Sequence, residues 1–162
     1  MIKRLLGSFV VVVLAIGMMS TAMAQTESSV DTYIEDFSVS NGSFSVYPDA
    51  REKSDSSAMY LYITSLSSST YVRVQARGMD YPDWTYYDAT LSNTSNETCR
   101  ADGTSVYYVV CYGGIDYSVH SYIFEHGFEG ATIAFQTPYG GMTINVDAVW
   151  SPDSAYPHVD AN

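Results

Sequence analysis

The chain has 162 residues, 46% of them hydrophobic, with 18 acids against seven Lys and Arg and a formal charge of −11. That length suits one domain with a real core rather than two. The acidity repels phosphate backbones and anionic lipid headgroups, so neither nucleic acid nor a membrane surface is an expected partner.

Lys3 and Arg4 open the chain, a mostly apolar run covers residues 5–16, and Ala22-Met23-Ala24 precedes Gln25. A basic start, an apolar stretch and a small-x-small triplet form the pattern of a secretory signal. The apolar run is short of the roughly 20 residues that span a bilayer. Residues 1–24 are therefore expected to be a cleaved signal peptide, and the product to be secreted (periplasmic if the producer has an outer membrane). Removing 24 of 162 residues leaves 138, in which only Arg51, Lys53, Arg73, Arg77 and Arg100 face the 18 acids, a formal charge of −13. With no cysteine at the cleavage point and no apolar C-terminal tail, no membrane anchor is expected after cleavage.

Residues 25–42 are polar and weakly patterned. Val30, Tyr33, Ile34 and Phe37 would suit either one side of a short helix or an extended arm. Residues 43–155 read as a β-domain and 156–162 as a tail. Phe44-Ser45-Val46-Tyr47 starts a period-two alternation that Pro48-Asp49 stops. Met59, Leu61 and Ile63 then alternate with Tyr60 and Tyr62, and Val72, Val74 and Ala76 alternate with Tyr71, Arg73, Gln75 and Arg77. With the turn Leu66-Ser67-Ser68-Ser69 between them, these two runs predict a hairpin with one buried and one wet face.

A loop is expected from Gly78 to Asp83, then a strand from Trp84 with Ala89 and Leu91 on its core side. The run Val106-Tyr107-Tyr108-Val109-Val110-Cys111-Tyr112 is apolar on both faces and predicts a central strand. Residues 119–124 fit a strand or a single helical turn. Ala131, Ile133 and Phe135 alternate again. Met142, Ile144, Val146, Ala148 and Trp150 form the cleanest alternation in the chain, stopped by Ser151-Pro152-Asp153. Six to eight short strands, frequent turn signals and no long helix predict an all-β antiparallel β-sandwich.

Cys99 and Cys111 are an even pair in a chain expected to be exported, which predicts a disulfide of about 3 kcal/mol in the chain-entropy account. The register is awkward. A two-residue turn at Asp102-Gly103 would set Cys99 opposite Val106 rather than Cys111.

The chemistry-bearing motifs are sparse. His120 and His126 lie six apart with Glu125 and Asp116 nearby, whereas a zincin helix needs two histidines four apart. Asp80, Asp83 and Asp88 are loop acids that suit Ca²⁺, yet no Asp-x-Asp-x-Asp-Gly string occurs, so no cofactor or metal is expected. No Gly-x-Ser-x-Gly elbow and no distinguishable carboxylate pair point to hydrolysis. The sequons at Asn41, Asn93 and Asn96 read as turn residues.

Fifteen tyrosines against six phenylalanines are the remaining unusual feature. Tyr60, Tyr62 and Tyr71 belong to outward strand faces, and Tyr81, Trp84 and Tyr86 cluster at a loop-to-strand edge. Flat rings with polar tips suit stacking on sugars or the contact area of a protein interface. The expectation is a secreted, non-catalytic binding protein for a glycan or protein at a cell surface, with Tyr81, Trp84 and Tyr86 as its contact residues. A secreted antagonist (a bacteriocin-like toxin or an inhibitor) and a small secreted hydrolase are the alternatives.

Overall fold

The computed structural model describes residues 30–40, 42–80, 97–155 and 158–162. Within them lie eleven strands and no helix: β1 (Thr32–Ser40), β2 (Ser45–Val46), β3 (Arg51–Glu52), β4 (Met59–Leu66), β5 (Tyr71–Met79), β6 (Thr98–Cys99), β7 (Val109–Tyr112), β8 (Asp116–Ser121), β9 (Gly130–Gln136), β10 (Thr143–Ser151) and β11 (Val159–Asp160). The first sheet runs β1-β10-β4-β8-β11, with β6 also on β8. The second runs β2-β9-β5-β7, with β3 also on β9. All pairings are antiparallel except that of β11 with β8.

The two sheets pack together over one core. Met59, Leu61, Ile63, Val119, Ile144, Val146 and Trp150 reach it from the first sheet, and Val72, Val74, Val109, Ile133 and Phe135 from the second. These are the positions that period-two alternation selects, because successive side chains on a strand leave on opposite faces.

The predicted hairpin does not form. β4 and β5 bury the expected residues but belong to different sheets. The reason lies in the connection: Ser67 N–H donates to Asn145 O at 3.1 Å, and Asn145 N–H to Ser67 Oγ at 2.9 Å, so the chain leaving β4 is held by β10. It then crosses to the other sheet, where Thr70 O accepts from Gly113 N–H.

Residues 106–112 also depart from expectation. Only the last four form β7, and it stands at the end of the second sheet's order rather than at its centre. Val106 N–H donates to Thr98 O, and Gln75 Nε2 takes Tyr107 O, so residues 106–108 are committed elsewhere before the strand begins. On β7, Val110 N–H donates to Asn162 O at 2.7 Å, which occupies part of an edge that would otherwise be a pairing hazard.

Gly78, expected in a loop, continues β5 opposite Ala131. A Cβ there would lie 2.6 Å from the Phe128 ring, so the glycine admits that ring against the strand. Residues 32–40, open between helix and arm, form β1 on β10. A register shift between Ile34 and Phe37 puts Asp36 at φ 50, and its N–H donates to Asp147 Oδ1 at 2.7 Å. The expected strand from Trp84 lies outside the described residues.

The predicted disulfide is absent: Cys99 and Cys111 are both free and buried. Cys99 pairs with His120 on β8 and bridges to Ser105, one residue short of the Val106 that a two-residue turn at Asp102-Gly103 would set opposite it, because Arg100 N–H bonds Thr104 O around a three-residue loop. Directly paired residues share a face, and His120 lies on the face opposite Val119. Cys99 therefore points away from the inter-sheet core, into which Cys111 projects beside Val72.

One polar cluster lies inside this apolar frame. Lys53 is 2% exposed, and its Nζ donates to Asp153 Oδ1 at 2.8 Å, Ser57 O at 2.7 Å and Pro152 O at 2.9 Å. The other oxygen, Asp153 Oδ2, accepts from Ser54 N at 2.9 Å and Ser54 Oγ at 2.8 Å. All three ammonium protons are satisfied, the condition under which a buried charge is tolerated.

Three outcomes follow. Asp153→Ala should cost about 3–5 kcal/mol in urea denaturation, since it strands the ammonium, and Lys53→Met with Asp153→Leu should recover much of that loss. Thiol titration should find two free sulfhydryls in the unfolded, unreduced protein, and reductant should leave the melting temperature unchanged; burial pushes the Cys111 thiol up, so it should also react slowly in the native state. Hydrogen bonds from Ser65 and from the Asp36 N–H hold the Asp147 carboxyl below its ordinary range. A depressed carboxyl contributes stability above its unfolded pKa of about 4, lost as pH falls below it, so Asp147→Asn should flatten the acid side of a stability-against-pH curve.

Candidate functional site

Tyr81, Trp84 and Tyr86, the residues singled out for binding, lie outside the described residues, as do Asp83, Asp88 and the three sequon asparagines. Asp80 is exposed just after β5. His120 and His126 do not converge. His120 Nε2 lies 2.8 Å from Asp160 Oδ1, while His126 Nδ1 lies 3.0 Å from Glu97 Oε1 and its ring stacks on Tyr122. Among the described residues no group of three or more His, Cys, Asp or Glu is placed to hold a metal ion.

Of the outward tyrosines, Tyr60 is half-buried on the first sheet. Its hydroxyl donates to Asp116 Oδ1 at 2.7 Å, and its ring centroid lies 4.7 Å from that of His158. Desolvation, followed by the bond to Asp116, raises the phenol well above its ordinary value. A shallow cleft of about 290 Å³ opens beside it, lined by Asp31, Ser154 and His158 among others. The Tyr60 and Ser151 hydroxyls on its wall are already committed to Asp116 and to Asp153 O.

The outer face of the second sheet is organised differently. Alternation on β5 sends Tyr71, Arg73, Gln75 and Arg77 outward, and pairing supplies their neighbours: Tyr112 beside Tyr71, and Val110 and Gln136 on either side of Arg73. The rings of Tyr71 and Tyr112 lie 5.6 Å apart. A hydrogen bond to Tyr139 raises the Tyr71 phenol. Tyr139 sits on the loop between β9 and β10, where Thr137 Oγ1 donates to its carbonyl at 2.9 Å. Tyr112 is 48% exposed and Tyr139 66%.

Next along the face, Arg73 Nη1 donates to Gln136 Oε1 at 3.2 Å, and its guanidinium lies 4.8 Å from the Tyr108 ring centre. Gln136 is fixed in turn by its Nε2 bond to Gly42 O. Farther on, Arg77 lies over Phe44 at 5.9 Å, and Phe44 meets the 63%-exposed Tyr107 edge-on at 5.7 Å. Burial lowers the Arg77 pKa from its ordinary value, the mark of a cation partly withdrawn from water.

Among the described residues neither arginine has a carboxylate partner. The ion pairs among the described residues are Lys53–Asp153, His120–Asp160 and His126–Glu97. Although the chain has 18 acids, none of those among the described residues forms an ion pair with either of these two guanidinium groups. Chemically, the face offers exposed rings for stacking, phenol hydroxyls and amides for hydrogen bonding, and planar cations for oxyanions. Sequence reasoning put Tyr71, Arg73 and Arg77 on one wet face and counted Tyr71 among rings suited to stacking, but assigned the two arginines no role. Two of the chain's seven cations at i and i+4 of one strand was the signal that could have found them.

No curated protein and no solved structure matches the chain. A family model described as "Protein of unknown function (DUF2712)" matches residues 20–154, most of its length, and the chain belongs to that family.

Proposed function

We propose that this protein is an exported, non-catalytic β-sandwich that binds a glycan at a cell surface through the outer face of its second sheet. Export rests on the signal pattern of residues 1–24, and the sandwich on two sheets sharing one core. The observation that carries the reading is the row Tyr139, Tyr71, Tyr112, Arg73 and Tyr108, in which stacking rings alternate with fixed hydrogen-bonding groups. Aromatic side chains present rigid contact area with few torsions to freeze, and paired with such groups they suit the two faces of a sugar ring, one apolar and one edged by hydroxyls. Tyr81, Trp84 and Tyr86, which follow β5 closely in sequence, remain part of the proposal as a second contact region.

The test is a glycan array combined with a pull-down on cell envelope, followed by variants. Tyr112→Ala with Tyr139→Ala should weaken retention at least tenfold, about 1.4 kcal/mol, and leave the melting temperature within a few degrees. Trp84→Ala should do the same if the second region contributes. Blank arrays and a blank pull-down would remove the reading. A collapse of melting temperature in the double tyrosine variant would make these rings structural.

A further inference from the structure

We infer that the ligand of this face is a carboxylate-bearing oligosaccharide whose acidic groups are taken by Arg73 and Arg77; the inference rests on the glycan reading above and names its charge. Three of the five cations expected in the mature chain are employed or placed elsewhere. Lys53 is buried against Asp153, Arg51 donates to Val30 O and Thr32 Oγ1, and Arg100 flanks the Asp102-Gly103 turn, where its backbone bonds Thr104 and Gly103. Arg73 and Arg77 share the aromatic face and have no carboxylate partner among the described residues. A protein with so many acids has the means to neutralise a guanidinium internally. Leaving two half-buried ones without such a partner keeps their charge for an external anion, at a place where partial desolvation strengthens the attraction.

Spacing and setting narrow the anion. At i and i+4 of one strand, the two Cα atoms lie about 13 Å apart, and the two guanidinium groups rest on different rings, Tyr108 and Phe44, so two separate acidic groups match them better than one. An extended chain with acidic groups on separate residues spans that distance. Tyr108 supports Arg73, Phe44 supports Arg77, and Tyr107 contacts both of those rings. Sugar rings between two acidic groups would therefore meet aromatic surface. Duplex DNA carries one charge per roughly 1.7 Å of axis, a density two arginines cannot match on a chain this acidic. A uronic-acid oligomer carries far fewer charges and offers the hydroxyls that phenols and amides bind.

Calorimetry with the purified protein tests this on four probes: a uronic-acid hexasaccharide, its methyl ester, duplex DNA and poly-glutamate. The hexasaccharide should bind, its methyl ester at least tenfold more weakly, and the other two more weakly still. Arg73→Gln should weaken the hexasaccharide at least tenfold and shrink the preference for the acid over its methyl ester, with the melting temperature unchanged. Arg77→Gln should weaken the hexasaccharide more than the corresponding disaccharide, added as a fifth probe, which cannot reach both groups. Should Arg77→Gln fail to fold, Arg73→Gln alone decides. Equal binding of acid and ester would overturn the inference and leave the glycan reading standing. Silence from every sugar, here and on the array, would remove both. DNA or poly-glutamate binding as tightly as the hexasaccharide would overturn the choice of a sugar.

Discussion

The ammonium of Lys53 ties the two sheets to each other through directed bonds. Its backbone follows β3 on the edge of the second sheet, where Lys53 N–H meets Glu129 O just before β9. Its side chain ends on Pro152 O and the Asp153 carboxylate, just beyond β10 in the first sheet, and on Ser57 O just before β4. Apolar packing between sheets is non-directional and tolerates sliding. A buried charge with three specific acceptors does not, because losing one leaves a cost of several kcal/mol. The cluster thus sets where the end of β10 and the start of β4 lie relative to the strands across the core, and the remaining apolar side chains fill the space so defined.

The chain reaches that arrangement by crossing repeatedly between layers. β4 leaves the first sheet for β5 in the second, β7 leaves the second for β8 in the first, and β9 leaves the second for β10. Such crossings leave strand edges exposed, and the structure occupies several of them. Thr98 Oγ1 takes Ala76 N–H where β7 no longer flanks β5. The C-terminal residues run along β8, bury Ala161, and bring Asn162 O to β7. At β1 the bulge around Asp36 and the bonds from Arg51 serve the same end, since an irregular, charged edge is a poor template for a further strand.

The aromatic face depends on this framework at second hand. Tyr71 and Arg73 come from β5, Tyr112 and Tyr108 from β7 and its approach, and Gln136 and Tyr139 from β9 and the loop beyond it. Three separate pieces of chain converge because β5 sits between β9 and β7. Rings and guanidinium groups in such an array hold one another by stacking and by the Gln136 relay, so the face is preorganised before any ligand arrives.

The all-β class and most of the core were readable in the chain itself. Met59, Leu61, Ile63, Val72, Val74, Ile133, Phe135, Ile144, Val146 and Trp150 all point inward as alternation predicts, because which face a side chain takes is a local property with period two. The Asp102-Gly103 turn was legible too, but not its register: the loop sets Cys99 opposite Ser105 rather than Val106, and the even cysteine count pointed to a bridge that the fold does not make. Which strand lies beside which was not legible: the runs of β4 and β5 look like a hairpin, and only Ser67 bonding to Asn145, far away in sequence, sends them to different sheets. Nor could Lys53 be told from a surface lysine, since its burial depends on an aspartate 100 residues later. The aromatic face was half visible, as an outward row of Tyr71, Arg73 and Arg77. Its other half arrives from β7, β9 and the loop after it, and pairing between distant strands is decided by the sum of packing and hydrogen bonding over the whole fold, which no local pattern encodes.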